Sequence, residues 1–282
     1  MGSSARFLFS GLESVLLRAP DGASAIVTCH GAQVVSWIPF PDDERLFLSP
    51  ESAFDEHSPI RGGAPVIFPQ FATYGSLPNH GLVRTRDWRV VALDAGERIA
   101  CATLRLEDCS DTRMLWPHAF ACELSVSVGG GRLELQMRIE NPGPGPFDFC
   151  AGLHTYLRVA DIRAVRVEGL HGTRYRDRTR QDRESIDSAD PLTISSEVDR
   201  IYVDAPKELV VRENGRSMRV RAHSFPDVVV WNPWKEKCAS LDDMPNDGYQ
   251  HMLCVEAVVV GTPVTLARHG RWSGGQTLIA SH

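Results

Sequence analysis

Apolar and polar residues alternate in short runs along most of this chain. Residues 124–128 read Leu-Ser-Val-Ser-Val, three glycines follow at 129–131, and residues 133–139 read Leu-Glu-Leu-Gln-Met-Arg-Ile. A period of two on both sides of a glycine loop predicts a β-hairpin with one face in contact with solvent. The segment 141–146, rich in proline and glycine, ends the second strand because proline has no N–H to donate to a neighbour.

Similar strand-like runs recur along the chain, separated by turn residues, and we find no long amphipathic helix between them. The predicted strands cover residues 14–19, 24–30, 32–38, 99–107, 208–212, 227–231, 252–260 and 262–267. Many short strands at regular spacing favour an all-β, mostly antiparallel sandwich. No change of composition, linker or internal repeat divides the chain, so we expect one domain over residues 1–282.

The charge balance narrows the range of partners. With 30 Lys and Arg against 36 Asp and Glu, the formal net charge is −6, which argues against general binding to nucleic acids or anionic membranes. Five arginines cluster over residues 174–183, but acidic residues are interleaved with them. This pattern is more typical of a solvated strand and loop than of a nucleic-acid surface, although the arginines could border a phosphate site.

The cysteines and the apolar runs indicate a cytoplasmic location. Seven cysteines are scattered without a C-x-x-C pair, and most have apolar neighbours in sequence, as expected for reduced, buried thiols. The first residues contain no long apolar segment of a signal peptide, and no apolar run approaches the roughly 18 residues that span a membrane.

Several motifs of well-known enzymes are missing, which weakens the case for a metallohydrolase, a serine hydrolase or a nucleotide enzyme. The sequence contains no H-E-x-x-H, G-x-S-x-G, Walker or Rossmann motif. What remains is a set of polar residues within apolar segments, among them His154 and Glu256. A buried carboxylate such as Glu256 must be paired, protonated or directed into a cavity. Taken singly, a histidine within a strand is more often structural than catalytic.

Seven short motifs occur in a fixed order along the chain. They are Arg61-Gly62-Gly63, His80-Gly81-x-x-Arg84, His154-Thr155-Tyr156, Asp199-Arg200-Ile201-Tyr202, Val230-Trp231-Asn232-Pro233-Trp234, Asp247-Gly248-Tyr249 and Cys254-Val255-Glu256. Together they resemble the glucose-6-phosphate 1-epimerase (hexose-6-phosphate mutarotase) family of the aldose 1-epimerase superfamily. The resemblance extends over residues 25–276 and is most specific over residues 229–256. Leu157, and Leu82-Val83 within the histidine-glycine motif, depart from the family pattern at positions that concern packing.

The resemblance implies a galactose-mutarotase-like β-supersandwich with a sugar cleft on an open face. It assigns His154 as the general acid and Glu256 as the general base. It further implies substrate contacts from Arg61, Gln70, His80, Arg84 and Asp199, and weaker phosphate candidates in Arg86 and Lys235. It also implies an isomerase that uses no cofactor or metal, with a small sugar phosphate as its partner and a monomer as its favoured state.

The chemistry of anomer exchange agrees with this assignment of roles. A cyclic hemiacetal opens when O1–H loses a proton while the ring oxygen gains one, and closure after rotation about C1–C2 reverses the two roles. Reference pKa values of about 4.3 for glutamate and about 6.5 for histidine predict that neither group needs a large shift. Arginine suits a phosphate because its planar fork donates two parallel hydrogen bonds.

Alternative functions remain open on the sequence alone. The enzyme could act on unphosphorylated aldoses, because arginine also binds sugar hydroxyls. A glycoside hydrolase would need paired carboxylates, such as Asp199 or Asp242 with Glu256. A non-catalytic sugar-binding or sensing sandwich would need aromatic residues such as Trp231 and Trp234, but no acid–base pair.

Overall fold

Three antiparallel β-sheets make up most of the structure, a computed structural model that describes residues 2–281. In chain order the strands are β1 Ser3–Phe9, β2 Leu12–Arg18, β3 Ser24–Thr28, β4 Val34–Ile38, β5 Val66–Ile67, β6 Arg89–Ala95, β7 Ala100–Glu107, β8 Ala121–Gly129, β9 Arg132–Glu140, β10 Phe147–Leu153, β11 Tyr156–Arg158, β12 Arg166–Glu168, β13 Arg174–Asp177, β14 Arg183–Ile186, β15 Leu192–Thr193, β16 Val198–Tyr202, β17 Glu208–Glu213, β18 Arg216–His223, β19 Asp227–Asn232, β20 Met252–Leu266 and β21 Arg271–Ser281. The two α-helices are short: α1 Ser110–Leu115 and α2 Trp234–Cys238. Single 3₁₀ turns occur at Ile162–Ala164, Arg178–Arg180 and Gly248–His251. The predicted all-β, mostly antiparallel class is confirmed.

The two larger sheets supply most of the core. The nine-stranded sheet has the order β15-β12-β17-β18-β21-β9-β8-β7-β6, and the eight-stranded sheet the order β14-β13-β16-β19-β20-β10-β5, with β11 also paired to β20. The four-stranded sheet is β1-β2-β3-β4. One large hydrophobic cluster takes side chains from all three sheets, so burial of their inner faces holds the fold together.

The hairpin predicted from alternation is confirmed. Strands β8 and β9 pair in register from Ala121↔Glu140 to Gly129↔Arg132, around the glycine loop. The alternate positions Leu124, Val126 and Val128 are buried, and the serines between them are partly exposed, as a period of two requires. The arginine-rich segment is also the strand and loop that the sequence predicts, formed by β13, a 3₁₀ turn and β14.

The long central strand β20 differs from the prediction. The sequence predicted two strands separated at Gly261, but β20 runs unbroken from Met252 to Leu266. The strand does change register here, because Phe149 pairs with Val264 whereas Ala151 pairs with Val259. The Asp227 carboxylate accepts hydrogen bonds from the N–H groups of Val260 and Gly261, at 2.9 and 2.6 Å, and so satisfies backbone donors at this irregularity.

The two faces of strand β20 lie in different surroundings. Leu253, Val255 and Ala257 belong to the main core, whereas Cys254 and Glu256 point to the other side. The outer face of the eight-stranded sheet therefore presents a buried carboxylate. Within residues 2–281, no helix is both long and apolar enough to cross a membrane.

Candidate active site

The register of β20 places His154 opposite Glu256. Leu153 pairs with Ala257 at the end of β10, and Tyr156 pairs with Cys254 at the start of β11. The pairing thus continues without a shift across the gap between β10 and β11. At the gap, the His154 N–H donates instead to the Pro65 carbonyl, at 2.9 Å.

The side chains of His154 and Glu256 form a close buried pair. His154 Nδ1 lies 3.4 Å from Glu256 Oε1, and the two residues are 8% and 2% exposed. The contact lacks the geometry of a hydrogen bond, because His154 Nδ1 has no hydrogen-bond partner among the described residues. The second carboxylate oxygen, Glu256 Oε2, also has no partner among them. Since Nδ1 is the buried ring nitrogen, Nε2 is the nitrogen available to a ligand.

Tyr156 holds the imidazole of His154 and the guanidinium of Arg61 in place. Its ring stacks on that of His154, with centroids 4.7 Å apart and an angle of 7° between the planes. Its hydroxyl oxygen accepts a hydrogen bond from Arg61 Nη1 at 3.1 Å, and Arg61 Nε donates to Asp243 Oδ1 at 3.0 Å. Arg61 is thereby fixed at the side of the histidine.

The glycines after Arg61 are required by the path of the backbone. Gly62 and Gly63 have φ values of 117° and 62°, in the left-handed region that favours glycine. A Cβ atom on Gly63 would also overlap the carbonyl oxygen of Val34. The two glycines let residues 61–63 pass close to neighbouring backbone while Arg61 points into the site.

His80 is presented by a loop that Gln70 organises. Gln70 Nε2 donates to the carbonyls of Ala72 and Leu77 at 2.9 and 3.0 Å, and its Oε1 accepts from the Leu77 N–H at 3.0 Å. His80 Nδ1 accepts from the Ala72 N–H at 3.2 Å, so a neutral His80 carries its proton on Nε2. The His80 ring meets that of His154 edge to face, with centroids 5.3 Å apart.

Asp199 comes from strand β16, on the far side of β19. It pairs in register with Trp231, which in turn pairs with Cys254. Arg178 Nη1 lies 3.2 Å from Asp199 Oδ2, and the Arg178 guanidinium covers the rings of Phe71 and Tyr74 at 5.8 and 5.5 Å.

These groups surround one cavity of about 260 Å³, a size that suits a single sugar ring. It is lined by Arg61, Phe71, Ala72, Asn79, His80, His154, Arg178, Asp199, Val229, Trp231, Lys237, Leu241 and Glu256. Five of the sequence candidates therefore meet here: Arg61, His80, His154, Asp199 and Glu256. The cavity combines a histidine–glutamate pair, aromatic side chains and several cations.

Comparison with known proteins identifies the family. The sequence profile described as "Aldose 1-epimerase" matches residues 13–278, which is most of the chain. The chain belongs to the aldose 1-epimerase family.

Relatives within this family carry more specific names. A protein of Cenchrus ciliaris named "Putative glucose-6-phosphate 1-epimerase" is 37% identical over 281 residues, covering 96% of this chain and 85% of the relative. A protein of the same name from Salmonella typhimurium is 32% identical over 256 residues, covering 89% of this chain and 85% of the relative.

Solved structures agree on the fold. A crystal structure from Salmonella typhimurium described as a "putative mutarotase" has a TM-score of 0.91 at 29% identity, covering 99% of this chain and 93% of that one. The galactose 1-epimerase of Lactobacillus acidophilus has a TM-score of 0.74 at 12% identity, covering 100% and 98% of the two chains. At that identity the likeness concerns the fold alone.

The pKa values of the buried pair differ from the reference values on which the sequence-based expectation rests. Burial raises the pKa of Glu256 well above its usual value, and the charge of Asp199 raises it further. Burial also lowers the pKa of His154 well below its usual value, with His80 and Arg61 adding to the effect. Each ionised form is penalised separately, but a carboxylate and an imidazolium in contact stabilise each other.

Two further titratable groups are shifted by burial. The pKa of His80 falls to about 3, because burial and the charges of Arg84, Arg178 and Arg61 oppose its protonation. His80 is therefore neutral near pH 7 and can donate from Nε2. The pKa of Asp199 rises to about 6 because burial outweighs the opposing charge of Arg178.

The other sequence candidates lie outside the cavity lining. Arg84 is half-buried and close enough for its charge to lower the pKa values of His80 and His154. Gln70 is engaged in its loop. Arg86 Nη1 lies 3.6 Å from Asp111 Oδ2 beside helix α1, and Lys235 is exposed on helix α2. The structure does not bring Arg86 or Lys235 into the cavity.

Sequence reasoning missed part of the cavity. Arg178 lies within the arginine-rich run, where the interleaved acidic residues favour a solvated loop and give no sign of a place in the cavity. Lys237 lines the cavity, whereas the candidate Lys235, two residues earlier, does not.

Proposed function

We propose that this protein interconverts the α and β anomers of a hexose 6-phosphate, and that His154 and Glu256 move the protons. The observation that carries the proposal is the 3.4 Å contact between the two side chains at the floor of a sugar-sized cavity. The names of the Cenchrus and Salmonella relatives support glucose 6-phosphate as the substrate. A module that only binds sugars would not need this pair.

Ring opening requires one proton to leave O1 and another to reach the ring oxygen. In the productive state Glu256 is ionised and accepts the proton of O1–H, while His154 donates from Nε2 to the ring oxygen. Transfer of one proton from the Glu256 carboxyl to the imidazole creates this state without changing the net charge of the pair. After rotation about C1–C2, closure returns both protons, and the enzyme is ready for another cycle.

Sugar hydroxyls are held by the groups around the pair. His80 donates from Nε2, and Asp199 accepts from a hydroxyl while Arg178 holds the carboxylate in position. Trp231, whose ring lies edge to face with His154 at 6.0 Å, offers its apolar surface to a sugar face. These contacts fix which ring atoms face the proton donor and acceptor.

The phosphate is bound by Arg61 and Arg84. The charges of both arginines act on His80 and His154, so both lie close to the cavity. The Arg84 guanidinium makes no hydrogen bond or ion pair with any other described residue, so its donors are free for an anion. Arg86 and Lys235 remain weaker proposals, because neither lines the cavity.

We further propose that the protein works as one catalytic domain over residues 1–282, in the cytoplasm and as a monomer. The continuous hydrophobic cluster that joins all three sheets supports the single domain. The seven free cysteines support a reducing compartment.

Saturation-transfer NMR tests the proposed reaction, because it measures anomer exchange at equilibrium. The exchange rate of glucose 6-phosphate is compared with those of glucose and galactose at equal enzyme concentration. We expect the protein to accelerate anomer exchange, and the rate to be highest for glucose 6-phosphate. Equal rates for glucose and glucose 6-phosphate would make the protein a general aldose 1-epimerase, and no acceleration would reject the proposal.

Arg84→Ala is expected to weaken the use of glucose 6-phosphate more than that of glucose. A charge-assisted hydrogen bond contributes about 1.5–3 kcal/mol, so kcat/KM for the phosphate should fall by about 10- to 150-fold. Arg105→Ala is the matched comparison, because this half-buried arginine pairs with Glu123 in the nine-stranded sheet, outside the cavity. Equal losses for glucose and glucose 6-phosphate in Arg84→Ala would defeat the phosphate assignment.

Lowering the pH should weaken sugar binding as Asp199 becomes protonated. Its pKa is raised to about 6, so the carboxylate that accepts from a sugar hydroxyl is present above pH 6 and lost below it. At one pH unit below this pKa, only about one tenth of the Asp199 side chains stay ionised. KM should therefore rise by up to about tenfold between pH 7.5 and 5. Glucose is the substrate to use, because a sugar phosphate itself titrates near pH 6. Asp199→Asn should flatten this dependence, and an unchanged pH profile in the variant would exclude Asp199.

A further inference from the structure

Three side chains with metal-binding atoms converge beside the cavity, and two of them, His154 and Glu256, line it. One ligand atom each from His154, Cys254 and Glu256 lies within 4.8 Å of the others, and all three residues are buried. Cys254 and Glu256 are two residues apart on β20 and therefore share a face, and His154 lies opposite Glu256. The cysteine has no part in the proton transfers described above.

Two of these side chains present buried polar atoms without partners. His154 Nδ1 and Glu256 Oε2 make no hydrogen bond within the described chain, although the residues are only 8% and 2% exposed. Most buried polar atoms in proteins have a partner, because an unsatisfied one keeps the cost of its lost hydration. A cation bound by His154 Nδ1 and by both carboxylate oxygens of Glu256 would satisfy both atoms.

The chemistry of the three atoms selects a particular kind of cation. Zn²⁺ binds imidazole nitrogen, thiolate sulfur and carboxylate oxygen at about 2.0–2.3 Å, which separates tetrahedral ligands by about 3.3–3.8 Å. The 3.4 Å between His154 Nδ1 and Glu256 Oε1 already meets this spacing. Mg²⁺ and Ca²⁺ prefer sites built from oxygen alone.

We propose that His154, Cys254 and Glu256 form an inhibitory Zn²⁺ site within the catalytic cavity. The sulfur binds as thiolate and its proton passes to solvent. Three protein ligands leave a fourth position directed at the cavity, for water or a sugar oxygen. The bound ion occupies the lone pairs that the acid–base pair needs, so it stops anomer exchange. Inhibition rests on the proposed function, whereas metal binding does not.

The test separates the metal site from the reaction by using two readouts on chelator-treated, metal-free protein. Co²⁺, which replaces Zn²⁺ in tetrahedral sites, reports a thiolate ligand through a sulfur-to-cobalt absorption band. Zn²⁺ affinity is measured by competition with Co²⁺, and anomer exchange by saturation transfer. We expect one ion per chain, the thiolate band, and loss of exchange in proportion to Zn²⁺ occupancy.

Cys254→Ser and Cys254→Ala are the variants that decide the outcome. We expect both to lose the thiolate band and to bind Zn²⁺ at least about tenfold more weakly, while their metal-free exchange rates stay near that of the wild type. Cys238→Ser is the matched control, because Cys238 is buried in the same hydrophobic cluster but outside the three-residue site, and it should behave as the wild type. A thiolate band or unchanged Zn²⁺ affinity in the Cys254 variants would overturn the proposal. Absent exchange in metal-free wild type would instead reject the proposed reaction, and the cobalt band would still decide the metal site.

Discussion

Glu256→Gln should lower the rate of anomer exchange by a factor of about 10² to 10⁴, the usual contribution of a general acid or base. Glutamine keeps the shape of the side chain, but its amide accepts no proton near neutral pH. Because burial already favours the uncharged form of Glu256, the neutral amide should leave the fold at least as stable. The measurement is saturation transfer on glucose 6-phosphate, with the melting temperature recorded alongside.

A matched control separates the loss of the base from the loss of any buried carboxylate. Glu213 is 7% exposed and its two carboxylate oxygens accept from the N–H groups of Ala160 and Asp161, away from the cavity. Glu213→Gln should lower the melting temperature while the folded protein keeps its exchange rate. If Glu256→Gln exchanges anomers at a near-normal rate, Glu256 is not the base.

His154→Asn should cause a loss of similar size, about 10² to 10⁴ in kcat, because an amide cannot donate the proton to the ring oxygen. The change also removes the stacking on Tyr156, so the melting temperature must be measured with the kinetics. His30→Asn is the control, since His30 is equally buried but bonds the Ser58 carbonyl outside the cavity. An unchanged turnover number in His154→Asn would remove this residue as the acid.

The double variant tests whether the two residues act as one unit. Groups that cooperate in the same step show losses that do not add, because removal of either disables the step. We therefore expect His154→Asn together with Glu256→Gln to be about as slow as the slower single variant. Losses that multiply would mean that the two side chains contribute to separate steps.

The fold was predictable where one strand face meets solvent. Residues 124–128 and 133–139 alternate visibly because alternate positions are partly exposed, and β8 and β9 confirm the prediction. Strand β20 is buried on both faces from Met252 to Val260, so its period of two does not show in the sequence. The glycine at 261 then looks like a break, although the strand continues past it.

The candidate site was predictable from motifs rather than from periodicity. The pattern of residues 150–158 does not indicate the gap between β10 and β11. The register that both strands share with β20 shows that His154 faces Glu256. The pKa shifts of the pair were equally hidden, because they arise from burial by distant strands. The family resemblance, confirmed by the profile match, supplied the residues that the pattern could not.

The proposed reaction requires one sugar ring to contact both the imidazole of His154 and the carboxylate of Glu256. A crystal structure of Glu256→Gln with glucose 6-phosphate tests this most directly, because the variant should bind the sugar without opening it. We predict O1 and the ring oxygen within about 2.6–3.2 Å of the side chains at 256 and 154, with the phosphate on Arg61 and Arg84. A sugar bound with its C1 end away from both side chains would contradict the account.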